Sequence, residues 1–129
     1  MLVDTNIVSE LVRRQPNAGV LAWADGLADF AISVVTVDEI AYGLSWRPNA
    51  RIEAWFDGFL RRHPIFPVTE AIARRAGELR GAFAARGIKR SQADMMIAAT
   101  AQIHALTLAT RNEDDFRGCG IPVLNPFSP

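Results

Sequence analysis

A single cysteine, Cys119, stands among the 129 residues, so no internal disulfide is available and the chain has no need of an oxidising compartment. Long apolar runs are missing as well. None approaches the roughly 18 residues that a membrane span requires, and Met1-Leu2-Val3 runs straight into Asp4 without the basic segment or apolar stretch of a signal peptide. These absences predict a cytoplasmic protein with no membrane partner. Two histidines and one cysteine offer no zinc-ligand spacing; His63 precedes Pro64, and His104 falls at the end of a helical pattern. Net charge is zero, with 14 basic and 14 acidic residues, which excludes the bulk basic excess of a general nucleic-acid binder. Repeats, low-complexity tracts and domain-dividing linkers are also lacking. With half its residues hydrophobic, the chain predicts one domain over residues 1–129.

What is present is unusual in one respect: the 14 basic residues are 13 Arg and only Lys89. The guanidinium fork suits phosphate, although a GC-rich genome produces the same bias. Short apolar runs alternate with helical stretches. Met1–Val3, Phe30–Val34, Ile65–Val68, Leu106–Ala109 and Pro122–Leu124 read as strands, the third at an edge because of Pro67. Ile7–Val12 and Val20–Leu27 read as short helices. Thr36, three residues before Glu39, has the spacing of a capping box opening a helix to about Ser45. Ala50–Arg62, Glu70–Ala85 and Ser91–His104 are the longer helices, with Arg86-Gly87 ending the second. Alternating strands and helices imply a three-layer α/β domain with a mostly parallel sheet, whose sites lie beyond the carboxyl ends of strands.

Three acids occupy such places. Asp4 follows the first strand directly, where either it or Asn6 could also cap the next helix. Glu39 and Asp94 each stand three residues after a hydroxyl, Thr36 and Ser91, and each taken singly is explained by capping or the helix dipole. Asp94 opens Met95-Met96-Ile97-Ala98-Ala99-Thr100-Ala101, a stretch apolar nearly all round and therefore buried. A carboxylate at the mouth of a buried helix needs a partner charge. Several acids at one sheet edge repel unless a cation compensates, and Mg²⁺ accepts oxygen ligands while retaining waters.

Leu2-Val3-Asp4-Thr5-Asn6, Ser33-Val34-Val35-Thr36-Val37-Asp38-Glu39-Ile40, Ala93-Asp94-Met95-Met96-Ile97-Ala98-Ala99-Thr100-Ala101 and Leu108-Ala109-Thr110-Arg111-Asn112, with the closing Val123-Leu124-Asn125-Pro126, follow one another in the order of a known pattern. The chain resembles the PIN-domain family, in particular the VapC/FitB-like toxins of toxin–antitoxin pairs. The resemblance implies a PIN-like α/β domain, endoribonuclease activity with Mg²⁺ (Mn²⁺ substituting), and a metal site at Asp4, Glu39 and Asp94. It implies a cognate antitoxin, homodimers or toxin–antitoxin hetero-oligomers, and contact with DNA only through the antitoxin. The family's fourth acid is the point of departure. Many relatives carry it where this chain has Asn112, others a few residues later, where Asp115 stands; both stay open. Thr110 either positions a water or simply ends its strand.

Arg13-Arg14, Lys89-Arg90 and Arg111 flank these motifs as phosphate contacts or as solvated charge. Trp55, Phe56 and Phe59 on one helix read as ordinary core, or else as a groove for an antitoxin segment or a dimer face. A response-regulator receiver is excluded by the lack of a phosphorylatable Asp after the third strand and of a late strand-end Lys, and a haloacid-type phosphatase by Asn6 in place of a second Asp. The remaining alternative is functional: a PIN-like binding module that acts with its antitoxin as a DNA-binding repressor.

Overall fold

Residues 1–26 and 29–128 are described by a computed structural model, in which strands and helices alternate: β1 Leu2–Val3, α1 Thr5–Leu11, α2 Ala18–Asp25, β2 Ile32–Ser33, α3 Val34–Trp46, α4 Ala50–Arg62, β3 Ile65–Phe66, α5 Glu70–Ala85, α6 Gln92–Ile103, β4 Leu108–Ala109 and β5 Val123–Leu124. Leu27, expected to end the second helix, lies outside the described residues. All ladders are parallel. Leu2 and Val3 pair with Leu108 and Ala109, which in turn pair with Val123 and Leu124. Ile32 and Ser33 pair with Ile65 and Phe66, and a bridge from Leu2 to Ala31 joins the two groups. The order across the sheet is therefore β3-β2-β1-β4-β5. As the Pro67 argument required, β3 lies at an edge, and it stops before the proline.

Side chains of a strand alternate between faces, and here the alternation feeds two separate cores. Leu2, Ala31 and Leu108 join Ile72, Leu79, Phe83, Met95 and Ile97 on the side of α5 and α6. Val3, Ile32 and Ala109 join Ile7, Val20, Phe56 and Phe59 on the side of α1, α2 and α4. Helix, sheet, helix: three layers follow from six strand residues. The aromatic cluster of α4 belongs to the second core, for Phe56 and Phe59 are buried and Trp55 stacks on Phe59 with ring centroids 5.2 Å apart.

Two helices end alike. After α5, the Gly87 and Ile88 amides donate to Ala84 and Phe83 carbonyls (3.0 and 2.9 Å), with Gly87 at φ 75°. After α6, the Ala105 and Leu106 amides donate to Gln102 and Ala101 carbonyls (3.2 and 2.8 Å), with Ala105 at φ 53°. Both are Schellman ends, whose left-handed residue favours glycine. The second places a Cβ there, at a cost of about 1 kcal/mol. Ala105→Gly should thus raise the unfolding free energy by about 0.5 kcal/mol at most after the extra freedom of the unfolded chain is counted. Urea denaturation checks this, and a destabilised variant would contradict it.

The strands, two residues each, are shorter than the runs of three to five read from the sequence, and three helices start early, α1 and α2 by two residues and α3 by three. α3 begins at Val34, capped by Ser33, whose Oγ accepts from the Val35 amide at 3.0 Å; Thr36 is not the cap. The strand is only two residues long, so the helix starts three residues early. Thr36 becomes a buried position inside the first turn, and Glu39 moves to the second turn.

Candidate active site

The chain crosses from one side of β1 to the other between β3 and β4, so β1 and β4 flank the point where the sheet reverses its winding. Such a point leaves a crevice beyond the carboxyl ends of the strands. Asp4 follows β1 and Thr110 follows β4, both into this crevice. An open cavity of about 440 Å³ lies there, lined by Asp4, Glu39 and Asp94 together with Arg13, Arg111 and Asn112. The three acids singled out from the sequence thus share one space.

Asp4 is both cap and site residue, which resolves the choice its sequence left open. Its Oδ1 accepts from the Thr5 amide (2.8 Å) and caps α1; its Oδ2 accepts from the Thr110 hydroxyl (2.8 Å) and Asn6 Nδ2 (3.3 Å). With 5% of its surface exposed, the carboxyl is pushed up to about 6, chiefly by burial and further by the charges of Asp94 and Glu39, while the Thr110 and Thr5 bonds hold it down. Asp94 sits in the first turn of α6, where its amide donates to Ser91 Oγ at 3.0 Å. The helix is buried from Met95 to Ala101, apart from the half-buried Met96, and Asp94 itself is half-buried. Its acid strength is also weakened, first by burial, then by Asp115 and Glu39, against the Ser91 bond and Arg90.

Glu39 is exposed and is held from β1's side of the crevice: Thr5 Oγ1 donates to its Oε1 at 2.6 Å. Because that uses the single Thr5 proton, the 3.0 Å contact between Thr5 and buried Thr36 has Thr36 as donor. Thr36, misread as a cap, is the anchor of a hydroxyl relay to Glu39. Thr5 was quoted in the motif without a role, and Asn6 only as an alternative cap, which Asp4 takes instead. Asn6 ties the crevice together, accepting from the Arg111 amide (3.2 Å) and donating to Asp4 and Thr110 (3.3 Å each). The signal was their adjacency to Asp4, for a strand end places consecutive polar side chains around one acid.

Thr110 is fully buried; it gives its proton to Asp4 and accepts from the Asn112 amide at 3.0 Å. Its hydroxyl therefore fixes the Asp4 carboxylate. Replacing Thr110 with Val should let the Asp4 carboxyl rise further, since a lowering bond is lost, and should cost about 1–3 kcal/mol above pH 7 by stranding a charged acceptor. The acid limb of any activity profile should then move to higher pH. An unmoved limb would mean that the bond does not operate.

The fourth corner divides. Asn112 lines the cavity with the three acids, whereas Asp115, in the short 3₁₀ turn Glu113–Phe116, lines a neighbouring depression and is felt at Asp94 only as charge. Asn112→Ala should lower turnover about tenfold more than Asp115→Asn, the worth of roughly one hydrogen bond; equal activities would reduce the centre to three acids. Of the basic residues, Arg13 and Arg111 face the cavity. Lys89 and Arg90 line a different pocket, and Arg90 donates to the backbone carbonyls of Asp115 and Arg117, holding the 3₁₀ turn rather than a phosphate.

Fold and cavity together define a class: a parallel α/β domain with an acidic, all-oxygen centre at the sheet's switch point. The chain belongs to the PIN-domain family, which matches residues 1–120. It is 35% identical to toxin FitB of Neisseria gonorrhoeae, covering 98% of both chains, and 30% identical to VapC ribonuclease Y4jK of Sinorhizobium fredii, covering 100% of this chain and 99% of the other. A toxin–antitoxin complex from Klebsiella pneumoniae contains a chain of the same fold, with TM-score 0.77, 30% identity and coverage of 99% and 98%. Among the described residues no helix is long and apolar enough to cross a membrane.

Proposed function

We propose that this chain is a metal-dependent endoribonuclease, the toxin of a toxin–antitoxin pair, acting in the cytoplasm as one domain. The observation that carries the reading is the gathering of Asp4, Glu39 and Asp94 around one open cavity beside Arg13 and Arg111. The donor set fits a hard cation, for every acidic ligand offered is oxygen and two of the three carboxyls are weakened as acids by burial and by one another. Among the described residues no three acidic, His or Cys side chains are drawn together closely enough to hold an ion; Mg²⁺ keeps several waters and takes one or two carboxylates directly. Mn²⁺ should substitute.

A divalent cation held there would supply Lewis acidity and make a water more acidic. The protein's own part is positioning. Asp4 and Asp94 hold the charge, and Thr110 and Asn6 fix the Asp4 carboxylate. Glu39, with Oε1 occupied by Thr5, presents Oε2 to orient the attacking water and take its proton. Arg13 and Arg111 face the phosphodiester, whose phosphorus gains the water oxygen as one P–O ester bond breaks. No Ser or His nucleophile is required, because phosphoryl transfer is catalysed largely by placement and charge.

The partners that follow are an RNA substrate, a cognate antitoxin that restrains the enzyme, a second copy of the chain, and DNA only through the antitoxin. FitB's name as a toxin, Y4jK's as a ribonuclease and the Klebsiella complex support this. The test is RNA cleavage by folded, antitoxin-free protein across a Mg²⁺ and Mn²⁺ titration, with EDTA abolishing it. Absence of cleavage at every concentration would sink the enzyme reading and leave a DNA-binding module in complex with the antitoxin.

A further inference from the structure

The chain's last described residues turn back over the cavity. Asn17 holds them: its Oδ1 accepts from the Ser128 amide and hydroxyl (3.0 Å each) as well as from Gly19 and Val20, and its Nδ2 donates to the Ser128 carbonyl at 3.3 Å. The approach is so close that a Cβ on Gly19 would lie 2.6 Å from the Ser128 nitrogen and 2.7 Å from the Pro126 oxygen, so only glycine admits the strap. Upstream, Asn125 Oδ1 accepts from the Phe127 amide at 3.0 Å. The result is that Phe127, half-buried, forms part of the wall of the cavity that holds Asp4, Glu39 and Asp94. The Arg111 guanidinium lies over its ring, 4.7 Å from the centroid. Arg111 is exposed and makes no ion pair among the described residues, while its backbone is pinned by Asn6.

We propose that Phe127 and Arg111 form a nucleotide-binding wall, on which a base flanking the scissile phosphate of single-stranded RNA stacks on the ring–guanidinium pair while the guanidinium edge meets the adjoining phosphate. This rests on the ribonuclease reading. Stacking on an aromatic face is tolerant of base identity and is a usual way for proteins to hold single strands, and an arginine over the ring adds its own plane and charge. A residue serving only to pack the strap has no need to share a wall with three carboxylates or to carry a guanidinium in place of an acid partner. The wall holds the nucleotide beside the cut whatever its base, and so it is a substrate-positioning element rather than a catalytic one.

Two measurements test it. First, short labelled single-stranded RNAs are titrated by fluorescence anisotropy onto Asp94→Asn protein, which holds RNA without cutting it, in versions carrying Phe127, Phe127→Leu or Phe127→Trp. Leu keeps the apolar packing and removes the aromatic face; equal melting temperatures establish that the strap stays docked. Binding should weaken about tenfold in the Leu version and persist in the Trp version. Second, on the wild-type background Phe127→Leu should raise KM about tenfold with little change in kcat, whereas Arg111→Ala, which also removes a charge facing the phosphodiester, should raise KM and lower kcat together. If Phe127→Leu binds RNA as tightly as the parent, the inference is overturned, whether or not the protein cleaves. If the wild type cleaves nothing but binding still depends on Phe127, the nucleotide wall stands and the ribonuclease reading falls.

Discussion

Asp4→Asn should abolish cleavage and at the same time make the metal-free protein more stable at pH 8. The two effects share one cause. In the native state the Asp4 carboxyl titrates near 6 against an ordinary 3.8, so the folded chain binds a proton more readily than the unfolded one. Stability therefore falls as pH rises through that interval, and above about 6 the folded protein carries a buried charge that costs roughly 3 kcal/mol. Asparagine removes that charge. It keeps an oxygen for the Thr5 amide, but its NH₂ faces the Thr110 hydroxyl, which already accepts from Asn112 and Asn6, and Asn6 Nδ2, itself a donor. Weaker hydrogen bonds take back part of the gain, leaving about 1–2 kcal/mol, or about 3–8 °C in melting temperature. In EDTA at pH 8 the variant should melt higher than the wild type; at pH 5, inside the interval between 3.8 and about 6, roughly half of the penalty is gone and the difference should shrink to near zero. Turnover should fall about 1,000-fold or more, since a cation ligand supplies several kcal/mol of transition-state stabilisation. A variant no more stable than wild type at pH 8 would show that Asp4 is not charged at the expense of the fold.

That trade explains why so much of this site was readable from residues alone. A buried acid at a strand end is unfavourable by itself, and the motifs around Asp4 and Asp94 are informative because ordinary folding offers little reason to put them there. The three longer helices were legible nearly to their boundaries, as at Glu70–Ala85, because the 3.6-residue pattern continues to the ends; the strands were legible in place but not in length, since only two residues of each run pair. Two features were not. Thr36 has the spacing of a capping box, yet β2 ends after two residues and Ser33, closer to the strand, takes the cap; local spacing cannot report which of two hydroxyls the sheet leaves at the helix entrance. Asn112 and Asp115 both satisfied the chemistry expected after Thr110, and only the path of the 3₁₀ turn, fixed by Arg90 from 25 residues upstream, sends one into the cavity and the other beside it. Phe127 was invisible for a similar reason. Its place at the wall depends on Asn17 and Gly19, a contact spanning 111 positions that no local pattern encodes.

Metal affinity should depend on pH through the same carboxyl. A ligand must lose its proton to bind a cation, so the apparent affinity drops once pH falls below the ligand's own titration. For an ordinary aspartate near 3.8 the affinity would stay flat from pH 7 to pH 5. With Asp4 near 6, the protonated fraction is small at pH 7 and dominant at pH 5, and half-maximal activity should need about tenfold more Mg²⁺ at pH 5 than at pH 7. Asp94, raised in the same direction by burial and by its acidic neighbours, steepens the dependence. The rise in melting temperature given by a fixed Mg²⁺ concentration should shrink in parallel, which separates loss of binding from any acid effect on the RNA or on the attacking water. A Mg²⁺ requirement unchanged between pH 5 and 7 would mean that Asp4 and Asp94 are ordinary solvated acids. Asp4→Asn should lose most of the dependence along with most of the affinity, because the charge that weakens the metal-free fold is the one the cation is bound by.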